Sequence, residues 1–262
     1  MNDALVLCYH AVSERWPASL ALTPTQLRDQ LELLVRRGYR GTTFHEAVTS
    51  PPRGRTLAVT FDDAYLSVLE LAYPILDSLG LRGTIFVVTD FGDGERALNW
   101  PGIEEWFGGP HHPELRPLSW AQLADLAEAG WEIGSHTKTH PRLTKLEDEA
   151  LRCELRESRT ACELALARPC RSLAYPYGDV DARVAAAAAD AGYTAAGALP
   201  ANLRRGTPLT WPRLGIYHAD TLPRFRVKVS PAVRRLRQAL GPAEELLRRR
   251  VRPSLSPSRV RR

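Results

Sequence analysis

The chain has 262 residues, 44% of them hydrophobic, and a formal net charge of +5. This length suits one large α/β domain, and no apolar run approaches the ~20 residues that a membrane-spanning helix needs. The first residues, "MNDALVLCYH", lack the basic start and cleavage site of a signal peptide. We therefore expect a cytoplasmic protein, either free or peripherally bound to the inner face of the membrane.

The charge is unevenly distributed along the chain. Residues 224–262 contain 13 Lys and Arg against 2 acidic residues, whereas residues 1–223 contain 22 against 28. We therefore divide the chain into one domain at 1–223 and a basic tail at 224–262. The four cysteines show no C-x-x-C spacing, which predicts neither a disulfide framework nor a thiolate metal site.

Short apolar runs typical of strands alternate with helical periods along the domain. The predicted strands are 4–10, 56–61, 82–88, 131–136, 171–176, 193–199 and 213–218. The predicted helices are 23–38, 65–80, 119–130, 147–167 and 180–191. This alternation is typical of an α/β fold with a parallel sheet, and about seven strands favour a distorted, closed or nearly closed (β/α) barrel over an open sheet.

Helix signals support these boundaries. Thr23 followed by Pro24 is a typical helix start, and Ser119 is a second predicted N-cap. The segment 90–117 is rich in Gly, Pro, Trp and His and is longer than most loops, which is typical of functional or disordered segments.

Chemically active residues follow four of the predicted strands. In a parallel barrel, catalytic groups gather at the carboxyl ends of the strands. These positions hold Tyr9-His10, Asp62-Asp63, "SHTKTH" at 135–140 and "YPYGD" at 175–179. We therefore expect one site at this end of the barrel.

The pattern of two histidines and an aspartate indicates a metal centre. His136 and His140 are four residues apart, so a helical turn or a tight loop can point both rings at one ion, although a surface pair would have the same spacing. Asp63 would be the third ligand, and Asp62 would be a general base whose charge the cation offsets. Alternatively, one aspartate is only the N-cap of the following helix.

Three motifs, in this order, resemble the polysaccharide deacetylase family: "TFDDAY", "GWEIGSHTKTHPRL" and "LAYPYGD". The resemblance extends over residues 4–218 and includes "YHAV" and "QLELLVRRGYR" near the start. It implies a distorted β/α barrel and a metal-dependent carbohydrate esterase that removes N- or O-acetyl groups from glycans.

Matched to the family motifs, Asp62 is the expected general base, and Asp63, His136 and His140 are the expected metal ligands. Zinc is the expected ion, with cobalt, manganese, iron and nickel as alternatives. The backbone N–H of Tyr177 is expected to help hold the oxyanion.

Other residues of the third motif are expected to shape the substrate site. Pro176 would fix the turn that aims the Tyr177 N–H, and Tyr175 would form a wall of the site. Trp211 could stack on a sugar ring, although tryptophan is also common in packing.

The chain departs from the family pattern at Ala174, where many members have an arginine that orients the base. Arg213 is our candidate to supply this guanidinium from a later strand, and Arg171 is a poorer one; an ordinary surface arginine is the alternative. His218 is the expected general acid, although it lacks the usual "L-x-x-H" context. His10 is either a substrate contact or an alternative acid.

The expected substrate is an N-acetylated sugar of a polysaccharide or a lipid-linked precursor. Two alternatives remain: a deformylase or amidase of a polyprenyl-phosphate-linked amino sugar, and a glycan-binding barrel with weak or no catalysis.

The tail contains an apolar stripe flanked by arginines. The stripe comprises Val233, Leu236, Leu240, Leu246, Leu247 and Val251. Such a basic amphipathic helix either lies on an anionic membrane or packs against the barrel. Nucleic acid is not an expected partner, because no recognised reading motif is present.

Overall fold

The computed structural model describes residues 3–50, 54–200, 203 and 206–239. Its strands are β1 (Asp3–Tyr9), β2 (Ala11–Val12), β3 (Ala21–Leu22), β4 (Arg40–Thr42), β5 (Arg55–Asp62), β6 (Gly83–Val87), β7 (Glu132–Ser135), β8 (Ser172–Ala174), β9 (Ala195–Ala198), β10 (Trp211–Pro212) and β11 (Leu214–Gly215). Its α-helices are α1 (Pro24–Arg36), α2 (Phe44–Thr49), α3 (Tyr73–Ser78), α4 (Trp120–Glu128), α5 (Asp148–Leu166), α6 (Ala182–Asp190) and α7 (Leu222–Lys228).

The main sheet is parallel and nearly closed into a barrel. Its strand order is β10-β9-β8-β7-β6-β5-β1-β11, with β4 paired to the first half of β5. β10 pairs with β9 and β11 pairs with β1, and only Arg213 separates these two short strands in the chain. Residues 211–215 therefore close the barrel as a seventh strand position, and the predicted (β/α) barrel is confirmed.

A second hydrophobic cluster fills the barrel at the end where the strands begin. Its buried members are Val6, Phe44, Ala47, Val48, Ala58, Phe86, Ala174 and Ala195. α2 crosses this end, contacts β1, β5 and β9, and places the ring of Phe44 5.4 Å from that of Phe86. Because this end is plugged, the opposite end is where a ligand can enter.

Both predicted N-caps are confirmed. The Thr23 hydroxyl accepts a hydrogen bond from the backbone N–H of Gln26, and the Gln26 side chain accepts one from the Thr23 N–H. Ser119 and Gln122 form the same reciprocal pair at the start of α4. These capping boxes satisfy N–H groups that have no partner within the helix.

The described part of the basic tail continues as helix. Residues 231–239 are helical, with Val233 half-buried and Leu236 57% exposed. The other predicted members of the stripe, Leu240, Leu246, Leu247 and Val251, lie outside the described residues. Across the described ranges, no helix combines the length and apolarity required to cross a bilayer.

Candidate active site

The two aspartates and the two histidines of the motifs meet at the open end of the barrel. Asp62 is the last residue of β5, Asp63 follows it, and His136 follows β7. Asp62, Asp63, His136 and His140 are each at most 5% exposed. Neither aspartate is an N-cap, because Asp63 has a left-handed φ of 71° and the next helix begins only at Leu66.

Backbone strain is concentrated around this site. Six non-glycine residues of the described chain have φ between 48° and 71°. Five of them belong to the site motifs: Asp63, Ala64, Thr137, His140 and Tyr177. Each such residue costs about 1–3 kcal/mol and persists only where the surroundings hold it, a pattern typical of functional sites.

Asp63, His136 and His140 form a group that fits a divalent cation. The Nε2 atoms of His136 and His140 lie 3.4 and 3.5 Å from Oδ1 of Asp63, and the potential ligand atoms all lie within 4.8 Å of one another. Nδ1 of His136 lies 2.8 Å from the carbonyl of Ala174, and donation there leaves the lone pair on Nε2. Asp63 Oδ1 is buried without a hydrogen-bond partner in the described structure, so a cation would satisfy it.

The electrostatics of this group also favour a cation. Burial, and then the charge of Asp62, raise the pKa of Asp63 well above its usual value. Burial is the main cause that lowers the pKa of both histidines, so their imidazoles are neutral. A cation stabilises an ionised carboxylate beside neutral imidazoles, which are the forms that act as metal ligands.

Arg213 reaches across the barrel interior to Asp62. Its Nη1 and Nη2 atoms donate hydrogen bonds of 2.6 and 2.8 Å to the two carboxylate oxygens, and Nη1 also lies 3.1 Å from the hydroxyl of Thr60. Burial by itself would raise the pKa of Asp62, but Arg213 and then His136 hold it well below its usual range. Asp62 is therefore ionised at neutral pH and fixed in orientation.

Small residues on the neighbouring strands make room for this guanidinium. Ala174 pairs in register with Gly197, and a Cβ at Gly197 would lie 2.4 Å from Nε of Arg213. The guanidinium carbon lies 5.3 Å from the ring centroid of Phe86. A guanidinium from Arg213, and not from position 174, therefore lies beside Asp62.

His10 and Cys8 flank Asp62 on the side of β1. The Sγ atom of Cys8 lies 3.4 Å from Oδ2 of Asp62, and potential ligand atoms of Cys8, His10 and Asp62 lie within 4.8 Å of one another. His10 retains some exposure, but its Nδ1 is buried without a partner in the described chain. Burial is the main cause that lowers the pKa of His10 to about 4. The sequence analysis gave Cys8 no part in the site, although the alternation of β1, continued by one residue, puts residues 8 and 10 on one face.

His218 lies elsewhere on the rim. Its ring Nδ1 is 3.0 Å from the carbonyl of Ala21, its backbone N–H donates to Ser19, and its side chain is exposed. Within the described ranges, no hydrogen bond, ion pair or ring contact joins it to the two aspartates or the site histidines.

The side chain of Tyr175 does not form a wall of the open site, which corrects our expectation for this residue. Tyr175 is 0% exposed because its ring is in the core, and its hydroxyl donates to the carbonyl of Leu209. Pro176 is also buried, in the turn that leads to Tyr177. Trp211 is half-buried and packs against the cluster inside the barrel, which favours the packing role.

The long segment 90–117 folds over the site. Trp100 is 7% exposed, and its ring stacks on that of His140 at 4.3 Å. The hydroxyl of Tyr177 donates to the carbonyl of Pro101, and the ring of Tyr177 lies 4.7 Å from that of His140. The Arg142 guanidinium covers the same tyrosine ring at 4.1 Å. Two aromatic rings therefore fix His140.

The family model for polysaccharide deacetylases matches residues 49–196, more than half of the chain. The chain therefore belongs to the polysaccharide deacetylase family. The matched region contains both aspartates and both histidines of the site, whereas His10 and Arg213 lie outside it.

Curated relatives agree with this assignment. YxkH of Bacillus subtilis, which carries the name polysaccharide deacetylase, is 26% identical over 193 residues, covering 72% of this chain and 61% of the relative. The poly-β-1,6-N-acetyl-D-glucosamine N-deacetylase of Staphylococcus epidermidis is 22% identical over 204 residues, covering 68% and 65%. The chain thus spans less than two thirds of either relative.

Solved structures show the same fold. A polysaccharide deacetylase from Bacillus cereus is similar with a TM-score of 0.69 at 23% identity, covering 87% of this chain and 69% of the other. The deacetylase PplD of Streptococcus pyogenes gives a TM-score of 0.70 at 21% identity, covering 88% and 99%.

Proposed function

We propose that this protein is a metal-dependent hydrolase that removes the N-acetyl group from an amino sugar of a polysaccharide. The observation that carries the proposal is the position of the Asp63–His136–His140 group beside the ionised Asp62–Arg213 pair, at the open end of the barrel. Membership of the family and the name of the Staphylococcus relative support an N-acetyl substrate.

Zinc is the ion we propose, because two imidazoles and one carboxylate form a common catalytic zinc site. Cobalt, manganese, iron and nickel suit the same donors less specifically. When bound, the ion supplies Lewis-acid chemistry toward the carbonyl and the attacking water.

The chain's own residues then have distinct roles. Asp62 accepts a proton from the attacking water, and Arg213 holds the accepting carboxylate in place. The backbone N–H of Tyr177, in a turn with φ of 59°, is proposed to donate to the carbonyl oxygen as negative charge develops there.

The proton must finally reach the leaving nitrogen. His10 lies beside Asp62 and is neutral near pH 7, so it can take up this proton and pass it on. His218 has no such contact, so we assign the acid step to His10 instead of His218.

We further propose that the acyl group is acetyl and that the sugar is part of a polymer. A formyl amide, or an acetyl ester, would present a carbonyl to the same residues. A lipid-linked amino sugar is the alternative carrier to a polymer. Parallel assays with polymeric and lipid-linked N-acetyl and N-formyl sugars distinguish these substrates.

Acetate release from oligomers of N-acetylglucosamine, together with metal analysis, tests the proposal. We expect zinc-dependent release by the wild type, and at least a 100-fold lower kcat for Asp62→Asn with its metal content retained. A protein that binds the oligomers and a metal but releases neither acetate nor formate would instead be the glycan-binding barrel.

A further inference from the structure

A basic pocket lies at the end of the barrel opposite the candidate active site. It has a volume of about 470 Å³ and is lined by Arg37, Tyr39, Arg55, Arg226, Val227 and Val233, together with residues 230–231. Arg37 follows the end of α1, and Arg55 begins β5, so the pocket opens where the strands begin.

The positive charge of this pocket is not neutralised by the described residues that line it. No carboxylate lines it, and in the described ranges neither Arg37, Arg55 nor Arg226 forms a salt bridge. The Arg55 guanidinium donates to the backbone carbonyl of Arg37 and lies 5.9 Å from the ring centroid of Tyr39. These contacts hold the guanidinium in place and leave its charge available to an anion.

The surface beside the pocket carries both basic side chains and exposed apolar ones. Residues 222–239 contain six Lys and Arg and no acidic residue, and Lys228 pairs with Asp220 at 2.6 Å. Val227 and Leu236 are 60% and 57% exposed on these helical segments. Exposed aliphatic side chains among arginines are typical of surfaces that bind a lipid interface.

We propose that this face docks on an anionic phospholipid bilayer, with a lipid phosphate in the arginine pocket and Val227 and Leu236 at the acyl boundary. Residues 240–262 contain 7 Arg and only 2 acidic residues, so they add net positive charge to the chain. Nucleic acid would also be attracted by the arginines, but unlike a bilayer it offers no apolar surroundings to the exposed side chains of Val227 and Leu236.

Docking through this face determines how the active site is oriented relative to the bilayer. Arg55 and Asp62 are the first and last residues of β5, so the strand separates pocket and base by about 23 Å at a rise of ~3.3 Å per residue. The open end of the barrel would then face away from the bilayer. Given the proposed deacetylase function, this favours a polymer reached from the aqueous side over an amino sugar attached directly to a lipid of the same membrane.

Sedimentation of the full-length chain with vesicles tests the docking face. We expect binding to vesicles of phosphatidylglycerol and phosphatidylcholine that falls with salt, and none to phosphatidylcholine alone. The triple variant Arg37→Gln, Arg55→Gln, Arg226→Gln should bind on the order of 100-fold more weakly. The matched control, Arg15→Gln, Arg116→Gln, Arg156→Gln, removes the same charge elsewhere and should lose less than about threefold.

Environment-sensitive fluorescent labels test which end of the barrel faces the bilayer. In a Cys153→Ser background, a label at Val227→Cys should shift to the blue on anionic vesicles, whereas one at Phe107→Cys, in the loop over the active site, should not. Equal binding by the pocket and control variants would overturn the proposal, as would a shift at position 107 alone. A dimer in solution that Val227→Ser dissociates would assign this face to a second copy of the chain instead.

Discussion

The guanidinium of Arg213 and the carboxylate of Asp62 form a buried pair of hydrogen bonds, 2.6 and 2.8 Å long, between residues 151 positions apart in the chain. Replacing Arg213 with Ala should leave a buried carboxylate without its cation, at a cost of about 3–5 kcal/mol in unfolding free energy. Arg213→Lys keeps the charge but loses the two-pronged contact, so we expect kcat to fall on the order of 100-fold with less loss of stability.

A second substitution that restores the guanidinium can show whether Arg213 orients Asp62 or only stabilises the fold. In the double variant Arg213→Ala, Ala174→Arg, a guanidinium returns from the position that many family members use, and activity should partly recover. Denaturant unfolding and steady-state kinetics on all three variants provide the test. Recovered stability without recovered kcat would contradict a role for the pair in orienting the base.

Gly197→Ala should lower kcat about tenfold or more while metal affinity stays unchanged. The added Cβ would lie 2.4 Å from Arg213 Nε and displace the guanidinium, and its three nearest atoms all belong to Arg213. Gly109→Ala is a suitable control, because its nearest neighbour would be 3.8 Å away. Kinetics and metal titration of both variants check this; equal kcat values would mean that Arg213 can shift without consequence.

Asp63→Asn and Asp62→Asn should differ sharply in metal affinity. Asp63 is placed as a ligand, so its loss should exceed the ~10–100-fold that removal of a group next to a ligand costs. Asp62 is bound by Arg213 and should affect metal binding only a few-fold. Competition titration with a zinc chelator measures both, and similar affinities would contradict the assignment of Asp63.

Trp100→Ala should weaken metal binding about tenfold, because the indole holds the ring of His140 by stacking at 4.3 Å. Phe107→Ala is the control within the same segment, since Phe107 is 51% exposed. Equal metal affinity of the two variants would show that the segment covers His140 without fixing it.

The metal-free protein should lose stability as the pH falls, in part through His10. Burial lowers its pKa from 6.5 to about 4, so below pH 6.5 the unfolded chain binds a proton that the folded chain does not. This contribution should cost about 1–2 kcal/mol between pH 7 and pH 5, and His10→Asn should remove it. Denaturant unfolding of the wild type and His10→Asn, in the presence of a metal chelator, gives the unfolding free energy of each protein at each pH. If the two proteins lose the same free energy between pH 7 and pH 5, His10 is more solvated than the structure indicates.

Local patterns in the sequence were sufficient to predict the barrel and the meeting of Asp63 with the two histidines. Strand and helix periods, N-caps at Thr23 and Ser119, and polar residues after apolar runs depend on neighbours in the chain. The parallel arrangement then brings the strand ends together, which places Asp63 beside His136 without further information.

Contacts between distant residues could not be predicted in the same way. Ala174 indicated that a guanidinium was missing, but only the pairing of β9 with β10 shows that Gly197 opens the route for Arg213. His218 was preferred as the acid because of its place in the chain, whereas the direction of β1 brings His10 to within 4.8 Å of Asp62. The burial of Tyr175 likewise depends on the packing of a turn whose apolar residues give no periodic signal.

The closure of the barrel by residues 211–215 has a consequence for synthesis of the protein. β1 is made first, but its partner β11 and the adjoining Arg213 are added only when translation reaches residues 213–215. A nascent chain can therefore assemble the Asp63–His136–His140 group before the base at Asp62 acquires its guanidinium. The proposed hydrolysis would then need the last strand to be docked, so that an incomplete chain could hold the metal without removing the acyl group.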